Sequence, residues 1–403
     1  MPSPYRWLIA ALLFLASALS FFDRQVLSVL APRILADLQL SNTDYAQAVA
    51  AFTLAYSVMF TLGGRLIDHW GTKLGLGLSV LFWTVASLLH AVTQSATQLT
   101  AFRLLLGAGE GGCFPGAGRG VLEWFGKSER ALAMGIATTG GSAFGAVLAP
   151  PLIVMAEASF GWRGAFLATG AIGILWLLAW FTLFRLPSTA PSQDTSTKPW
   201  PLESILARKE VWGLVLTRFL LDPVFYVYMF WIPQYLSKER GASLAEIGAL
   251  SWIPFLCLGV SSLLGGYLSD SLIRHGWPLG RTRKSILSAA AALTPVSILA
   301  LYAPDARAAV MLLGVLMFAH GFWMTNYMTL IADLFPTSTV ATVVGLSGTA
   351  GGLGGFIANL AVGRIVDAFS FTPVFLVCGL LYPIGLVILF IAIPNVEKLA
   401  EPS

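Results

Sequence analysis

Apolar stretches of about 20 residues recur along the whole chain, and each is long enough to cross the hydrocarbon core of a bilayer as a helix. Only 11% of the 403 residues are charged, whereas a soluble domain carries about a quarter. So few charges are not enough to cover a water-facing surface, and soluble helices need a polar face. The sequence therefore predicts an all-α integral membrane protein.

Twelve transmembrane helices are predicted from these stretches. The predicted spans are residues 7–29, 45–67, 74–93, 98–120, 131–156, 164–184, 211–236, 244–270, 285–303, 308–331, 339–366 and 371–393. Residues 185–210 are rich in proline, serine and threonine, which is typical of a linker. This linker separates a six-helix bundle at residues 1–184 from a second one at 211–403.

The two halves share sequence motifs. GGRLIDHWGTK begins at Gly63 after the second span, and GGYLSDSLIRHGWPLGRTRK begins at Gly265, 202 positions later, after the eighth. RALAMGIATTGGSAFG in the fifth span is more weakly similar to VATVVGLSGTAGGLGG in the eleventh. Parallel repeats of a six-helix half, related by a pseudo-twofold axis, are typical of secondary transporters.

Lysine and arginine in the connections predict the orientation, because cytoplasmic loops carry an excess of them. With both termini inside, fourteen basic residues lie on the inner side and six on the outer side. We therefore predict a multi-pass inner-membrane protein whose termini and linker are cytoplasmic. The net charge of +4 follows from this topology and from contact with anionic lipid, and no basic stripe indicates a nucleic-acid partner.

No motif indicates catalysis or a bound cofactor. The three cysteines, Cys113, Cys257 and Cys378, fall in separate apolar spans without a CxxC pair, so neither a disulfide nor a metal site is expected. The chain also lacks the glycine-rich phosphate loop of ATP-driven proteins. We expect a protein that is not an enzyme and needs no cofactor beyond a coupling ion.

Charged side chains inside membrane spans are costly and usually functional. The amino-terminal half places Asp23 and Arg24 in the first span and Arg103 and Glu110 in the fourth. Arg103 and Glu110 are two turns apart, about 10 Å, on one helical face. The four charges balance, which fits either a structural salt-bridge network or a site that binds a proton and a carboxylate.

The carboxy-terminal half contains further polar candidates. Arg218 and Asp222 in span seven are spaced to pair along one helix, as a structural or gating pair or in contact with substrate. His320, Trp323 and Asn326 in span ten, together with Asn359 in span eleven, are candidates for lining a pocket. The alternative is ordinary hydrogen bonding between helices.

The spans, the repeat and one loop together resemble the major facilitator superfamily. The loop after the second span matches that superfamily's G-x-L-x-D-x-x-G-x-K/R signature through Gly64, Leu66, Asp68, Gly71 and Lys73. Asp68 is expected at the N-terminus of a neighbouring helix, where negative charge is favourable, and Asp270 occupies the second copy. Both are predicted to hold helix ends together in one state; ordinary loop chemistry is the alternative.

A narrower resemblance, to the anion:cation symporters and among them the hexuronate transporters, extends over nearly the whole chain. The matching stretches are FDRQVLSVLAP, RLLLGAGEGGCFPGAGRGVLEWF, RFLLDPVFYVYMFWIPQYL, GGYLSDSLIRHGWPLGRTRK and AHGFWMTNYMTLIADLFP. Members move sugar acids or other organic anions with protons or sodium. The resemblance implies that Arg24 and Tyr56 contact the substrate, that Asp23 and Glu110 bind protons, and that Arg103 tunes one of these acids.

The sequence departs from the hexuronate pattern where polar groups are usual. Ser20 and Phe21 replace an Asn-Tyr pair, Cys113 replaces an asparagine, and the fifth span is small or apolar around Ala137 and Ala143. A buried hydroxyl without a partner costs about 1–3 kcal/mol. The sequence therefore favours an acid with fewer hydroxyls than a hexuronate: a deoxy or dehydrated sugar acid, or a smaller hydroxy- or aromatic acid.

These observations predict proton-coupled symport of an organic monoanion by a monomer that alternates access to a site at the membrane midplane. Protons are preferred to sodium because no cluster of coordinating oxygens is present, although sodium coupling remains open. Export of organic anions or drugs, or transport of monocarboxylates, is the alternative on the same fold. A sensor or receptor would be expected to carry an extra soluble domain, and the twofold repeat disfavours a channel.

Overall fold

The computed structural model describes residues 5–126, 129–187 and 200–400, and every regular element within these ranges is helical. The α-helices are α1 (Tyr5–Leu38), α2 (Asn42–Leu89), α3 (Ala96–Glu110), α4 (Cys113–Trp124), α5 (Arg130–Gly135), α6 (Gly141–Leu183), α7 (Leu202–Leu206), α8 (Lys209–Arg240), α9 (Leu244–Leu250), α10 (Ile253–Arg274), α11 (Leu279–Leu293), α12 (Ala306–Leu334), α13 (Thr337–Ala368) and α14 (Thr372–Ala392). A π-helical turn precedes α6, and 3₁₀ turns follow α2 and α11. Residues 188–199 of the predicted linker lie outside the described ranges.

The predicted fold class is confirmed. Nine described segments are long and apolar enough to cross a membrane, and two of them, of 51 and 52 residues, are long enough to cross twice. Those two break at Gly71 (φ 80°) and Gly161 (φ 69°), a backbone region that favours glycine. α3 and α4 together cover the predicted fourth span. The predicted count of twelve spans is consistent with these helices.

The chain forms two compact units. The first holds the described residues before 188 together with Met229–Trp252 and Asn359–Asp367. The second holds residues 200–228, Ile253–Ala358 and the described residues after 367. Two segments of the predicted carboxy-terminal bundle thus belong to the first unit. The division into bundles at 1–184 and 211–403 remains a prediction based on the sequence repeat.

Within the first unit, Pro233 leaves a backbone carbonyl of α8 free to accept a hydrogen bond from a neighbouring helix. Pro233 lies inside α8 and has no N–H, so the carbonyl of Met229 lacks its helical partner. The hydroxyl of Ser28 donates to the carbonyls of Met229 and Phe230, at 3.0 Å each. The hydroxyl of Tyr45 also donates to Phe230, at 2.6 Å. α1 therefore supplies the donor that the Met229 carbonyl lacks within α8, and α2 adds a hydrogen bond to the carbonyl of Phe230.

The start of α2 is capped by Ser41, and a residue far away in the sequence satisfies two further N–H groups there. Asp367, near the end of α13, accepts hydrogen bonds from the backbone and side chain of Asn42 at 3.2 and 2.6 Å. It also accepts from the backbone and hydroxyl of Thr43, at 2.8 and 2.6 Å. Lys238 donates to the Asn42 side-chain oxygen at 2.8 Å. A carboxylate at a helix N-terminus satisfies free N–H groups and opposes the positive end of the helix dipole.

The Asp367→Ala variant should lower the stability of the purified protein by about 1–3 kcal/mol, because the N–H groups of Asn42 and Thr43 lose their acceptor while the Ser41 cap remains. The measurement is thermal unfolding in detergent. Glu397→Ala is a suitable control, because Glu397 is exposed and none of the described hydrogen bonds or ion pairs involves it. Equal melting temperatures for the two variants would show that the hydrogen bonds to Asp367 contribute nothing to stability.

Candidate functional site

The four charged residues of the amino-terminal half lie together inside the first unit, carried by α1 and α3. Asp23 and Arg24 are each 2% exposed, and Arg103 and Glu110 are fully buried. α3 reaches this depth because Gly107 lies directly against the backbone of Phe52 in α2, where a side chain would clash. Close packing at glycine is a usual way for membrane helices to approach one another.

The central contact is an ion pair between α1 and α3. Nε of Arg24 lies 2.6 Å from Oε2 of Glu110. Ser20, one turn before Arg24, donates to the same carboxylate oxygen at 2.9 Å and accepts from Nη2 of Arg24 at 3.2 Å. The sequence interpretation treated Ser20 only as the loss of a larger amide, whereas the structure makes it a bridge between the arginine and the acid.

Aromatic rings surround the rest of the Arg24 guanidinium. Its central carbon lies 4.3 Å from the ring centre of Tyr56, 4.6 Å from that of Phe21 and 5.5 Å from that of Phe52. Cations are attracted to aromatic faces at these distances, most strongly where water is excluded. Tyr56 therefore lies directly beside Arg24, and the resemblance implied that both residues contact the substrate.

Asp23 lies in a different environment from Glu110. Consecutive helical residues point about 100° apart, and Asp23 accepts from the hydroxyl of Ser87 at 3.1 Å. Ser87 in turn lies 3.1 Å from the hydroxyl of Thr169. Among the described residues no cation lies within ion-pair distance of Asp23. The two acids that the resemblance implies bind protons therefore have separate partners.

Arg103 is buried without a matching carboxylate. Its Nη2 lies 3.5 Å from the carbonyl of Arg24, and its guanidinium faces the rings of Phe52 at 4.8 Å and Phe230 at 5.9 Å. Nε and Nη1 have no hydrogen-bond partner within the described part of the chain. Arg103 is thus not the ion-pair partner of Glu110 in this structure, because Arg24 occupies that place.

In the second unit, the predicted pair along α8 is present. Nε of Arg218 lies 2.8 Å from Oδ2 of Asp222. His320 hydrogen-bonds the hydroxyl of Tyr382 and stacks on Phe225 at 4.9 Å. Trp323 also packs edge-on against Tyr382, at 5.5 Å. His320 and Trp323 therefore share an aromatic environment next to α14.

Asn326 does not share that environment. Its side-chain amide donates to the carbonyl of Gly265 on α10 at 3.3 Å and to that of Phe322 at 3.0 Å. This is the interhelical alternative left open by the sequence, and its fully buried position fits that role. Asn359, which belongs to the first unit, accepts from the indole N–H of Trp231 at 2.9 Å.

Asp68 of the signature loop and Asp270 of its second copy have different surroundings. Asp68 pairs with Arg119 of α4 at 2.8 Å, and Arg119 also donates to the carbonyl of Ile67 at 2.8 Å. Asp270 is exposed, while its neighbour Ser269 bonds Arg283, which pairs with Asp333 at 2.7 Å. Asp68 thus binds an arginine side chain here, and the helix-end latch remains a prediction.

Comparison with known proteins identifies relatives over nearly the full length. The model of the Major Facilitator Superfamily matches residues 13–359 and 214–403. The hexuronate transporter of Escherichia coli (strain K12) is 30% identical over 409 residues, which cover 97% of this chain and 94% of that protein. The D-galactonate transporter of Escherichia coli O6:H1 is 26% identical, with 98% and 97% covered.

Solved structures share the fold at low sequence identity. The structure of a D-xylose-proton symporter aligns with a TM-score of 0.80 at 14% identity, covering 98% of this chain and 100% of that one. At this identity the likeness concerns the fold alone.

Proposed function

Because this chain belongs to the major facilitator superfamily and is a multi-span membrane transporter, we propose that it imports an organic monocarboxylate together with protons. The predicted resemblance to hexuronate transporters is confirmed by the relatives, which are transporters rather than enzymes. The substrates named for these relatives are sugar acids, and a sugar acid or related carboxylate is the substrate class we propose here.

The ion pair between Arg24 and Glu110, at 2.6 Å, carries the proposal. A guanidinium has five N–H donors in a fork that matches a carboxylate. Glu110 and an incoming substrate carboxylate would compete for it. A proton on Glu110 removes the charge that holds Arg24, so the arginine becomes available to the substrate. Proton binding and substrate binding thereby favour one another, and linkage makes this effect reciprocal.

Charge balance supports one proton for each substrate molecule. With both acids ionised, the buried set of Asp23, Arg24, Arg103 and Glu110 is neutral. A monocarboxylate entering this set adds one negative charge, which is costly at low dielectric. One proton on Glu110 restores neutrality. Asp23, held by hydroxyl groups rather than by a cation, is the second proton-binding candidate.

Several further features complete the proposal. The protein would act as a monomer in the inner membrane, with both termini in the cytoplasm, as the distribution of basic residues indicates. It would need no bound cofactor, with the proton as coupling ion. Tyr56 would contact the substrate beside Arg24, and Arg103 would supply a further positive charge to the site.

Reconstituted protein should accumulate labelled D-glucuronate or D-galactonate when the lumen is made alkaline relative to the outside. A protonophore should abolish the accumulation, and a sodium gradient at equal pH should produce no accumulation above the outside concentration. Accumulation driven by sodium alone would overturn proton coupling. Accumulation when the lumen is acidic relative to the outside would instead indicate a proton antiporter, as expected of an exporter.

A further inference from the structure

The surroundings of Arg24 contain more flat apolar surface than hydrogen-bonding groups. Phe21 lies 4.6 Å from the guanidinium and is half-buried, so part of its ring remains accessible. The equally half-buried Phe114 packs edge-on against it at 6.2 Å. A molecule whose carboxylate reaches Arg24 therefore meets aromatic faces next to its charged end.

Three of the uncharged polar side chains in this region are already engaged with protein groups. Ser20 bonds both Glu110 and Arg24. Gln25 donates to the carbonyl of Ala146 at 2.9 Å, and Ser142 donates to that of Thr138 at 2.8 Å. Positions 113 and 137 carry a buried thiol and a buried methyl group. Apart from the two donors of Arg103 that have no partner among the described residues, a hydroxyl-rich ligand would lose water here and gain few partners in return.

Resting on the function proposed above, we propose that the preferred substrates are carboxylates conjugated to a flat, unsaturated carbon skeleton. Arg24 binds the carboxylate, and the ring of Phe21 packs against the flat skeleton, as aromatic groups do in offset or edge-on pairs. Aromatic monocarboxylates and sugar acids with a double bond conjugated to the carboxylate share this chemistry. A saturated hexuronate has the charge but not the flat face.

The test is calorimetric binding to the purified full-length protein with four probes. These are 4-hydroxybenzoate, a 4,5-unsaturated glucuronate, cyclohexanecarboxylate and D-glucuronate. Cyclohexanecarboxylate separates flatness from apolar character, because it is apolar but not flat. The two flat acids should bind at least about fivefold more tightly than the two saturated ones, as expected for aromatic pairing. The flat acid that binds more tightly shows which of the two classes is the substrate, the aromatic monocarboxylates or the unsaturated sugar acids.

Two phenylalanine variants localise the effect. Phe21→Leu keeps an apolar side chain but removes the ring, and should weaken binding of the flat acids about two- to tenfold while leaving cyclohexanecarboxylate unchanged. Phe22→Leu is the matched control: Phe22 is the next residue, lines an apolar groove with Leu19 and Phe144, and should have no effect on binding.

The outcomes separate this inference from the function on which it rests. If D-glucuronate binds as tightly as the flat acids, or Phe21→Leu leaves their ratio unchanged, the preference for flat acids is wrong while pH-driven uptake of D-glucuronate still supports symport. If none of the four acids binds and none accumulates under a pH gradient, both are wrong.

Discussion

Arg24→Lys is expected to reduce pH-driven uptake by about 100-fold or more, to the background of protein-free vesicles, because charge-assisted hydrogen bonds are each worth about 1.5–3 kcal/mol. Lysine retains the positive charge that balances Glu110, so the buried site is not left with an uncompensated acid. It loses the planar fork that binds a carboxylate at two points and the ring contacts with Phe21 and Tyr56. The measurement is the initial rate in proteoliposomes of matched protein content.

Arg33→Lys is the control for this experiment. Arg33 lies on the same helix, and its side chain is 66% exposed and 3.7 Å from Glu157, so its replacement should leave uptake unchanged. The melting temperature of both variants checks folding. Normal uptake by Arg24→Lys would show that the substrate carboxylate is bound elsewhere, with the unpaired Arg103 as the next candidate.

Glu110→Gln should abolish accumulation against a gradient while preserving exchange of substrate across the membrane. Glutamine has nearly the same shape and can still accept from Arg24 and Ser20, but it cannot gain or lose a proton. For one proton per substrate, a pH difference of two units sustains at most about 100-fold accumulation, since each tenfold ratio corresponds to 1.4 kcal/mol. In the variant, the ratio should fall to about one.

Counterflow supplies the second readout. Vesicles preloaded with unlabelled substrate should still take up labelled substrate through Glu110→Gln, which separates lost coupling from lost folding. Glu157→Gln, a partly buried acid paired with Arg33, should retain both activities. Accumulation by Glu110→Gln at the level of the parent protein would assign the coupling proton to Asp23 or to another group.

The sequence was sufficient to predict where along the chain the helices lie. The bilayer imposes a narrow length on each span, so the boundaries near Gly71 and Gly161 were predictable from apolar length alone. The membership of the compact units was not predictable. Residues such as Asp367 act through partners more than 300 positions away, and neither composition nor spacing contains a signal for that pairing.

Within the site, the identities of the charged residues were predictable and their partners were not. Spacing along one helix gives the separation of Arg103 and Glu110. It does not show which side chain of α1 contacts Glu110. The same limit applies to span ten, where residues six apart point about 120° away from one another around the helix axis. His320 and Asn326 thereby contact different helices. The bridging role of Ser20 was missed because the sequence shows only that a serine stands in place of a larger amide. The contacts of Ser20 with Glu110 and Arg24 are visible only in the structure.

Pro233 has a consequence for water. The carbonyl of Met229 that it leaves without a helical partner on α8 accepts from the hydroxyl of Ser28. In hydrocarbon, a carbonyl without a partner costs several kcal/mol. Any movement that carries Ser28 away therefore has to bring another donor to this carbonyl, and a water molecule that enters with the movement is one such donor.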